Sequence, residues 1–410
     1  VFSGRDEIGQ RSETVRRANL AAIVRELHQH GPLTRSELVA RTGLTRSAIR
    51  GLIGELVASG LVSEERPAPL GTPGRPSPIV RPDPEDAAVL ALEIAVDSLA
   101  VALVGLGGEV LELVRVDRPA DHTSVDQIAA DLADLAGVVR ARRPAVDPLV
   151  GIGVSIVGLV RRTDGCVSFA PNLGWKDVPL GERLAAALGD SAPISVANDA
   201  DLGALAEVRR GAAQGADPVL FISGEVGVGA GLIVDGRPLT GAAGYAGEVG
   251  HMPVNPAGLT CRCGSVGCWE TEIGAHALLR RAGHPEDGGR REIDAVLREA
   301  AAGSPVAREA IEEVGRWVGR GLSGLVNVFN PRLIVLGGLL GRLYPYMSET
   351  VDGELDRLAL AAPRRQVRIM PTSLGVNAPL LGAAELAFEP LLDDPAVWLR
   401  RTEHLVRASA

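Results

Sequence analysis

The alternation of apolar and polar positions divides the chain into stretches of different period. At the start the period is helical: Leu20, Ile23, Val24 and Leu27 recur three or four apart until "GP" at 31–32 breaks the run. Thr34 then stands three residues before Glu37, the spacing of a capping box, and predicts a short helix "RSELVART" that stops at Gly43. A third helix is expected from Thr45 to Gly60, apolar at Ile49, Leu52, Ile53, Leu56 and Val57. Helix, tight glycine turn and helix make the helix-turn-helix pattern. In "LVSEERPAPLGTPGRPSPIV" two short apolar ends bracket a Gly- and Pro-rich loop, which reads as a winged hairpin with "GRP" (74–76) at its tip.

Beyond "RPDPED" (81–86), read as a linker, the period becomes that of strands. "AVLALEIAVDSLAVALVGLGGEVLELVRV" predicts two or three strands of a meander around a Gly-Gly turn. "LVGIGVSIVGLV" and "PISVAND" predict further strands. "PVLFISGEVGVGAGLIVDG" opens a second set, continued by "RLIVLGG" and "QVRIMPTSL" with amphipathic helices between. Strands alternating with helices imply α/β architecture. The strand-rich unit recurs near 88 and near 218, so a two-lobed, duplicated fold with a cleft is expected.

A chain of 410 residues predicts two or three domains, and 46% apolar with 23% charged residues is a soluble globular composition. There is no uninterrupted apolar run of about 18 residues, so no membrane span is expected. The start lacks the basic flank and apolar stretch of a signal peptide, and a cytoplasmic protein is expected. The net charge of −9 hides an asymmetry: residues 1–82 hold 12 Arg against 8 acids, and the acidic excess lies wholly beyond them. Lys176 is the one lysine. A basic N-terminal segment on an acidic body points to a nucleic-acid module carried by a soluble domain.

"CRCGSVGCWE" (261–270) places three of the four cysteines within eight positions. With His251 they offer the ligands zinc prefers, and Cys261, Cys263 and Cys268 with that histidine would form a closed tetrahedral set. Four protein ligands leave no position for water, so a structural zinc is expected rather than a catalytic one. A Cys261–Cys263 disulfide would close a strained small ring and leave Cys268 over.

Together "GEVGHMPVNPAGLTCRCGSVGCWE", "GIGVSIVGLV", "APNLGW", "VANDADLGALAE", "FNPRLIVLGG" and "LLGAAELA" resemble the ROK family of bacterial repressors, open-reading-frame proteins and sugar kinases over nearly all of 88–388. Residues 12–82 are similar to the winged helix-turn-helix of its repressor branch. The resemblance implies a two-lobed, actin/hexokinase-like (ribonuclease H-like) fold with sugar in the cleft: a DNA-binding domain at 1–82, a first lobe at 83–200 and a second at 201–410, the final helices free to pack back on the first. It carries sugar contacts to Asn172, Asn198, Asp199, Glu248, His251 and Glu270. Convergent carboxylates and carboxamides suit an uncharged, hydroxyl-rich ligand.

In family kinases Asp199 would be the base that takes the sugar hydroxyl proton. Phosphoryl transfer also needs glycine-rich, hydroxyl-bearing hairpins that cradle phosphate. The family's Asp-x-Gly-Gly-Thr is here "EIAVD" (93–97), and its Gly-Thr-Gly-x-Gly is "EVGVG" (225–229). Both threonines are gone, and Asp97 and Glu225 bring negative charge. The expectation is a repressor that senses a sugar without phosphorylating it. The alternatives are a sugar kinase or bifunctional kinase–repressor, and a repressor answering to a sugar phosphate or partner protein. Thr45, Arg46, Ser47 and Arg50 should face the major groove, Arg75 on the wing the minor groove, and a homodimer or homotetramer should read an inverted-repeat operator in double-stranded DNA.

Overall fold

The computed structural model describes residues 3–66, 77–118, 124–146 and 148–400, with the side chains of the first helix from Glu13 onward. That helix, α1 (Ser3–His30), is followed by β1 (Leu33–Thr34), α2 (Arg35–Thr42), α3 (Arg46–Ala58), β2 (Val62–Glu65) and β3 (Ile79–Pro82). The capping box forms: the Thr34 hydroxyl accepts from the Glu37 amide while the Glu37 carboxylate accepts from the Thr34 amide. Gly43 ends α2 at φ 72°, where a Cβ would be strained, and Thr45 caps α3. Ile49, Leu52, Ile53 and Leu56 bury the inner face of α3, each worth about 1.5–3 kcal/mol.

The first lobe holds β4 (Ala88–Ile94), β5 (Ser98–Gly105), β6 (Val110–Asp117), α4 (Val125–Arg142) and β7 (Ile152–Ile156). A small antiparallel sheet of β8 (Leu159–Arg161), β9 (Cys166–Ala170) and β10 (Trp175–Val178) leads to α5 (Leu180–Leu188), β11 (Ile194–Asn198) and α6 (Asp199–Arg210). The second lobe holds β12 (Val219–Gly224), β13 (Val228–Val234), β14 (Arg237–Pro238), α7 (Glu270–Ile273), α8 (Ala275–Ala282), α9 (Arg290–Ala301) and α10 (Pro305–Phe329). It ends in β15 (Leu333–Gly337), α11 (Gly338–Leu358), α12 (Ala361–Gln366), β16 (Arg368–Pro371) and α13 (Ala378–Asp393). The two large sheets have the same order, β6-β5-β4-β7-β11 and β14-β13-β12-β15-β16. In each, an antiparallel meander is extended by two parallel strands, so the duplicated period in the sequence corresponds to a duplicated topology.

Two features go beyond the sequence reading. "RPDPED" is no loose linker: Arg81 and Pro82 pair with Ser63 and Val62 in the wing, and the Asp83 carboxylate accepts from the amides of Glu85 and Asp86 in a tight turn. The core of the N-terminal winged helix is also continuous with that of the body. Leu20, Ile23, Val24 and Leu27 of α1 share one apolar cluster with Leu391 and Leu392 of α13 and with Trp398 and Leu399 beyond it. Arg17 and Arg25 ion-pair with Asp394 and Asp393 along the same seam.

Inside that seam lies a buried polar group of three. His28 and Glu385 are 1% and 4% exposed, joined by a 3.0 Å hydrogen bond, with Arg210 donating to Glu385 at 2.7 Å. Burial lowers the His28 pKa and keeps the ring neutral. Burial alone would raise Glu385, but the hydrogen bonds from His28 and Arg210, with the charge of the guanidinium, hold it below the ordinary carboxylate value. Because the folded value lies below the unfolded 4.5, the Glu385 contribution is complete above pH 4.5 and fades as the pH falls towards 2. Glu385→Gln, which leaves a buried guanidinium uncompensated, is expected to lower stability by about 3 kcal/mol at pH 7. Urea denaturation should find that penalty smaller at pH 3.

Candidate functional site

The C-terminal ends of β4, β7 and β11 lie at one edge of the first sheet, because the three strands are parallel and in register from Leu90–Ile152–Ile194 to Ile94–Ile156–Asn198. Ligands of open α/β sheets bind at such an edge. A cavity of about 510 Å³ opens there between the lobes and is lined by Asn172, Asn198, Asp199, Glu248, His251 and Glu270. The six residues named for sugar contact, spread over 99 positions of sequence, thus face one space.

Their side chains are not equally free. The Asn198 oxygen caps α6, accepting from Ala200 and Asp201, while its amide donates to the Gly158 carbonyl at 3.0 Å, so one N–H remains for a ligand. The Asn172 oxygen accepts from Arg262 at 2.8 Å across the cleft. Arg262 was not singled out from the sequence; its place between two cysteines of a loop that walls the cavity is the signal that could have found it. Loss of water in the cleft, helped by Glu93 and Glu248, raises Asp199 to about 7.

The cysteine loop hangs from the core by Trp269, which is fully buried and donates its indole N–H to the Trp317 carbonyl at 2.8 Å. Glu248 precedes a single 3-10 turn ending at His251, and Glu270 opens α7 on the far side of the loop. One ligand atom from each of His251, Cys261, Cys263 and Cys268 falls within 4.8 Å of all the others. Cys263 and Cys268 sulfurs are 3.6 Å apart, and Cys261 sulfur is 3.7 Å from His251 Nδ1. A tetrahedron with metal–sulfur bonds of about 2.3 Å has edges of about 3.8 Å, so the donor set fits a metal ion. His251 Nδ1 faces the thiols, and Nε2 lies 3.9 Å from Glu248 Oε2 on the cavity side. All four cysteines are free, and Cys166 is buried apart in the first lobe.

At the two hairpins where a kinase of this shape would hold phosphate, carboxylates converge. Glu93 pairs with Arg115 at 2.8 Å, and Asp97 of the first lobe with Arg290 of the second at 3.2 Å. Loss of water, with Asp97 and Glu93 nearby, raises Glu225 to about 7.

At the other end of the molecule, the Thr45 hydroxyl caps α3 and lies 3.1 Å from the Ser47 hydroxyl. Arg46, Ser47 and Arg50 are exposed on the outer face of α3. Arg75 lies outside the described residues.

A two-lobed fold with this cleft and cysteine loop, preceded by a winged helix, defines a class of proteins, and comparison with known proteins gives the class its name. The ROK family model matches residues 89–389, and the chain belongs to that family; a MarR family model matches residues 21–69. The chain is 26% identical over 380 residues to the xylose repressor of Bacillus subtilis, covering 92% of this chain and 97% of that one. A crystal structure of a ROK family transcriptional regulator, a homologue of the Escherichia coli Mlc protein, superimposes with a TM-score of 0.76 at 28% identity over 95% of this chain and 98% of the other. A ROK glucokinase from Streptomyces griseus, solved with glucose and AMPPNP, gives 0.62 at 29% identity over 73% and 98%. Among the described residues no helix is long and apolar enough to cross a membrane.

Asp199 ionises at about 7 in the folded chain against 3.8 unfolded, so its carboxylate opposes folding progressively more as the pH rises over that interval. Asp199→Asn is therefore expected to raise the melting temperature, more at pH 8 than at pH 5, in calorimetric scans of both proteins.

Proposed function

We propose that the chain is a sugar-responsive transcriptional repressor that binds double-stranded DNA through residues 1–82 and a sugar in the cleft between lobes 83–200 and 201–410. The observation that carries the DNA half is how the module's arginines are used. Arg16, Arg17, Arg25, Arg35, Arg41 and Arg81 are each paired with a carboxylate. Arg46 and Arg50, like Arg66 before the wing loop, have neither an ion pair nor a hydrogen bond to any of the described residues, and they alone of the three stand on the exposed face of the second helix of a helix-turn-helix. Cations left free on a module so thoroughly paired elsewhere are available to an outside polyanion. Gly51 and Gly54 share that exposed face, and a Cβ on either would meet nothing within 4 Å. Nothing inside the protein requires glycine there, and each glycine weakens the helix by about 0.5–1 kcal/mol. A smooth surface that lets the helix sit deep in a major groove supplies the reason. Arg75 would enter the minor groove beside it.

The sugar half rests on the six polar residues around one cavity. The metal cluster is assigned to structural zinc, which fixes the His251 ring by Nδ1 and presents Nε2 towards Glu248 and the cavity. Asp199, with a pKa near 7, has the character of a general base, which is the reading a sugar kinase would need. Against transfer stand Glu93, Asp97 and Glu225 where triphosphate would lie. The chain is read as binding without phosphorylating. Dimers or tetramers would present paired α3 helices to an inverted repeat, in the cytoplasm.

Four outcomes are expected. Arg46→Ala and Arg50→Ala should each weaken binding to a duplex selected in vitro on the full chain by about tenfold to a hundredfold, as loss of about 1–3 kcal/mol requires. Gly54→Ala should stabilise the chain to heat yet bind that duplex less well, and gel shifts that find no loss in any of the three would end this reading. A coupled assay with ATP and a panel of monosaccharides should detect no turnover. Cys263→Ser should lower the zinc content found by mass spectrometry and the affinity for sugar, while binding to the duplex without sugar stays.

A further inference from the structure

Helix α6 begins in the sugar cavity and ends against the DNA-binding module. Its first residue is Asp199, on the cavity wall, and after 12 residues, about 18 Å, it ends at Arg210. There Arg210 Nη1 donates to the carbonyls of His28 at 2.6 Å and Gly107 at 2.9 Å, and Nε donates to Glu385 Oε1 at 2.7 Å. His28 Nδ1 accepts from the Gly107 amide at 3.1 Å, which puts the ring proton on Nε2, the atom that donates to Glu385 Oε2. One guanidinium thus ties together the last turn of α1, the β5–β6 turn of the first lobe, and α13.

The helix between these ends has no slack. A Cβ on Gly382 of α13 would run into the Leu202 carbonyl, and one on Gly231 of β13 into the Ala200 carbonyl, so α6 is held backbone to backbone on two sides. Near its C-terminus the fully buried Glu207 accepts from the amides of Ala212, Ser373 and Leu374 at 2.7, 3.1 and 3.2 Å. A displacement of the first turn therefore reaches the last turn as movement of a rod. At the far end the response is a choice between contacts, because a planar fork either meets two carbonyls and a carboxylate together or loses them. Arg210 Nη2, moreover, is buried with no acceptor among the described residues, so the present arrangement leaves a donor that a second arrangement could satisfy.

Building on the sugar-binding reading above, we infer that Arg210 is a positioning residue. Through His28 and Glu385 it sets how the DNA-binding module sits on the body, and it passes to the module the shift that a sugar imposes on Asn198 and Asp199. The alignment of α1, and with it the spacing of two α3 helices in a dimer, depends on whether this fork is made.

The test is a thermodynamic cycle on the full chain. Affinity for the in vitro selected duplex is measured with and without D-xylose, D-glucose or N-acetyl-D-glucosamine, and affinity for the sugar with and without duplex, in wild type, Arg210→Lys and Arg210→Met. Wild type should show one coupling factor in both directions, within the 5- to 150-fold range typical of allosteric proteins. Lysine keeps the charge beside Glu385 but cannot reach all three acceptors in one plane. Both variants should bring the factor to about 2-fold or less while each separate affinity stays within a few-fold of wild type. Variants that keep the wild-type factor overturn the inference. So do variants that lose melting temperature and both affinities together with the factor intact, the outcome of a merely structural role. A wild-type chain that binds sugar and duplex without coupling overturns the inference and leaves sugar binding standing. A wild-type chain that binds none of the sugars overturns the sugar-binding reading and the inference with it.

Discussion

The arrangement depends on the closeness with which α6 is gripped between the second-lobe sheet and α13. Glycines at 231 and 382 remove the side chains that would otherwise separate the backbones. Such contacts leave little freedom to adjust, since packed interiors resist small displacements and switch between discrete arrangements instead. α6 therefore belongs to both lobes: its inner residues pack with Phe221 and Val335 of the second sheet, while Leu202 and Leu205 pack with α13 and the first. Movement of one lobe against the other has to be taken up at the ends of this helix.

Charge is distributed with the same economy. The cavity carries Asp199, Glu225, Glu248 and Glu270, and the neighbouring first-lobe hairpin adds Glu93 and Asp97. Opposite charges are brought in singly, Arg115 to Glu93 and Arg290 to Asp97, and the second of these pairs spans the lobes. On the winged helix six of the described arginines are ion-paired, while Arg46 and Arg50 stand without a described partner on the exposed face of α3.

Much of this is legible in the sequence because it is local. The capping box at Thr34 and Glu37, the stop at Gly43, the meander turning at two glycines and the cysteine spacing are all set by residues a few positions apart, and each appears in the structure where its spacing puts it. The six cavity residues were reached through motifs rather than periodicity. What could not be read depends on distance along the chain. His28, Arg210 and Glu385 meet across separations of 175 to 357 residues. The one hint is that Glu385 sits in "LLGAAELAF", an apolar stretch where a charge must find a partner or cost stability. Likewise, nothing in the spacing of the module's twelve arginines distinguishes Arg46 and Arg50 from the others; their partners had to be seen. In "RPDPED" proline and acid favour both a free linker and a tight turn, and the strand pairing that decides between them is not local.

The return of α13 to the first lobe has a consequence for how the protein comes into being. The chain emerges from the ribosome N-terminus first, and domains usually fold as they emerge. Here the apolar face of α1 and one face of the first sheet wait for Leu391, Leu392, Trp398 and Leu399, which are made after nearly all the residues they pack with. A nascent chain lacking them has α1 without the surface it packs against in the finished fold. The seating of α1 on the body is thus completed only after α13 and the residues up to Leu399 have been made.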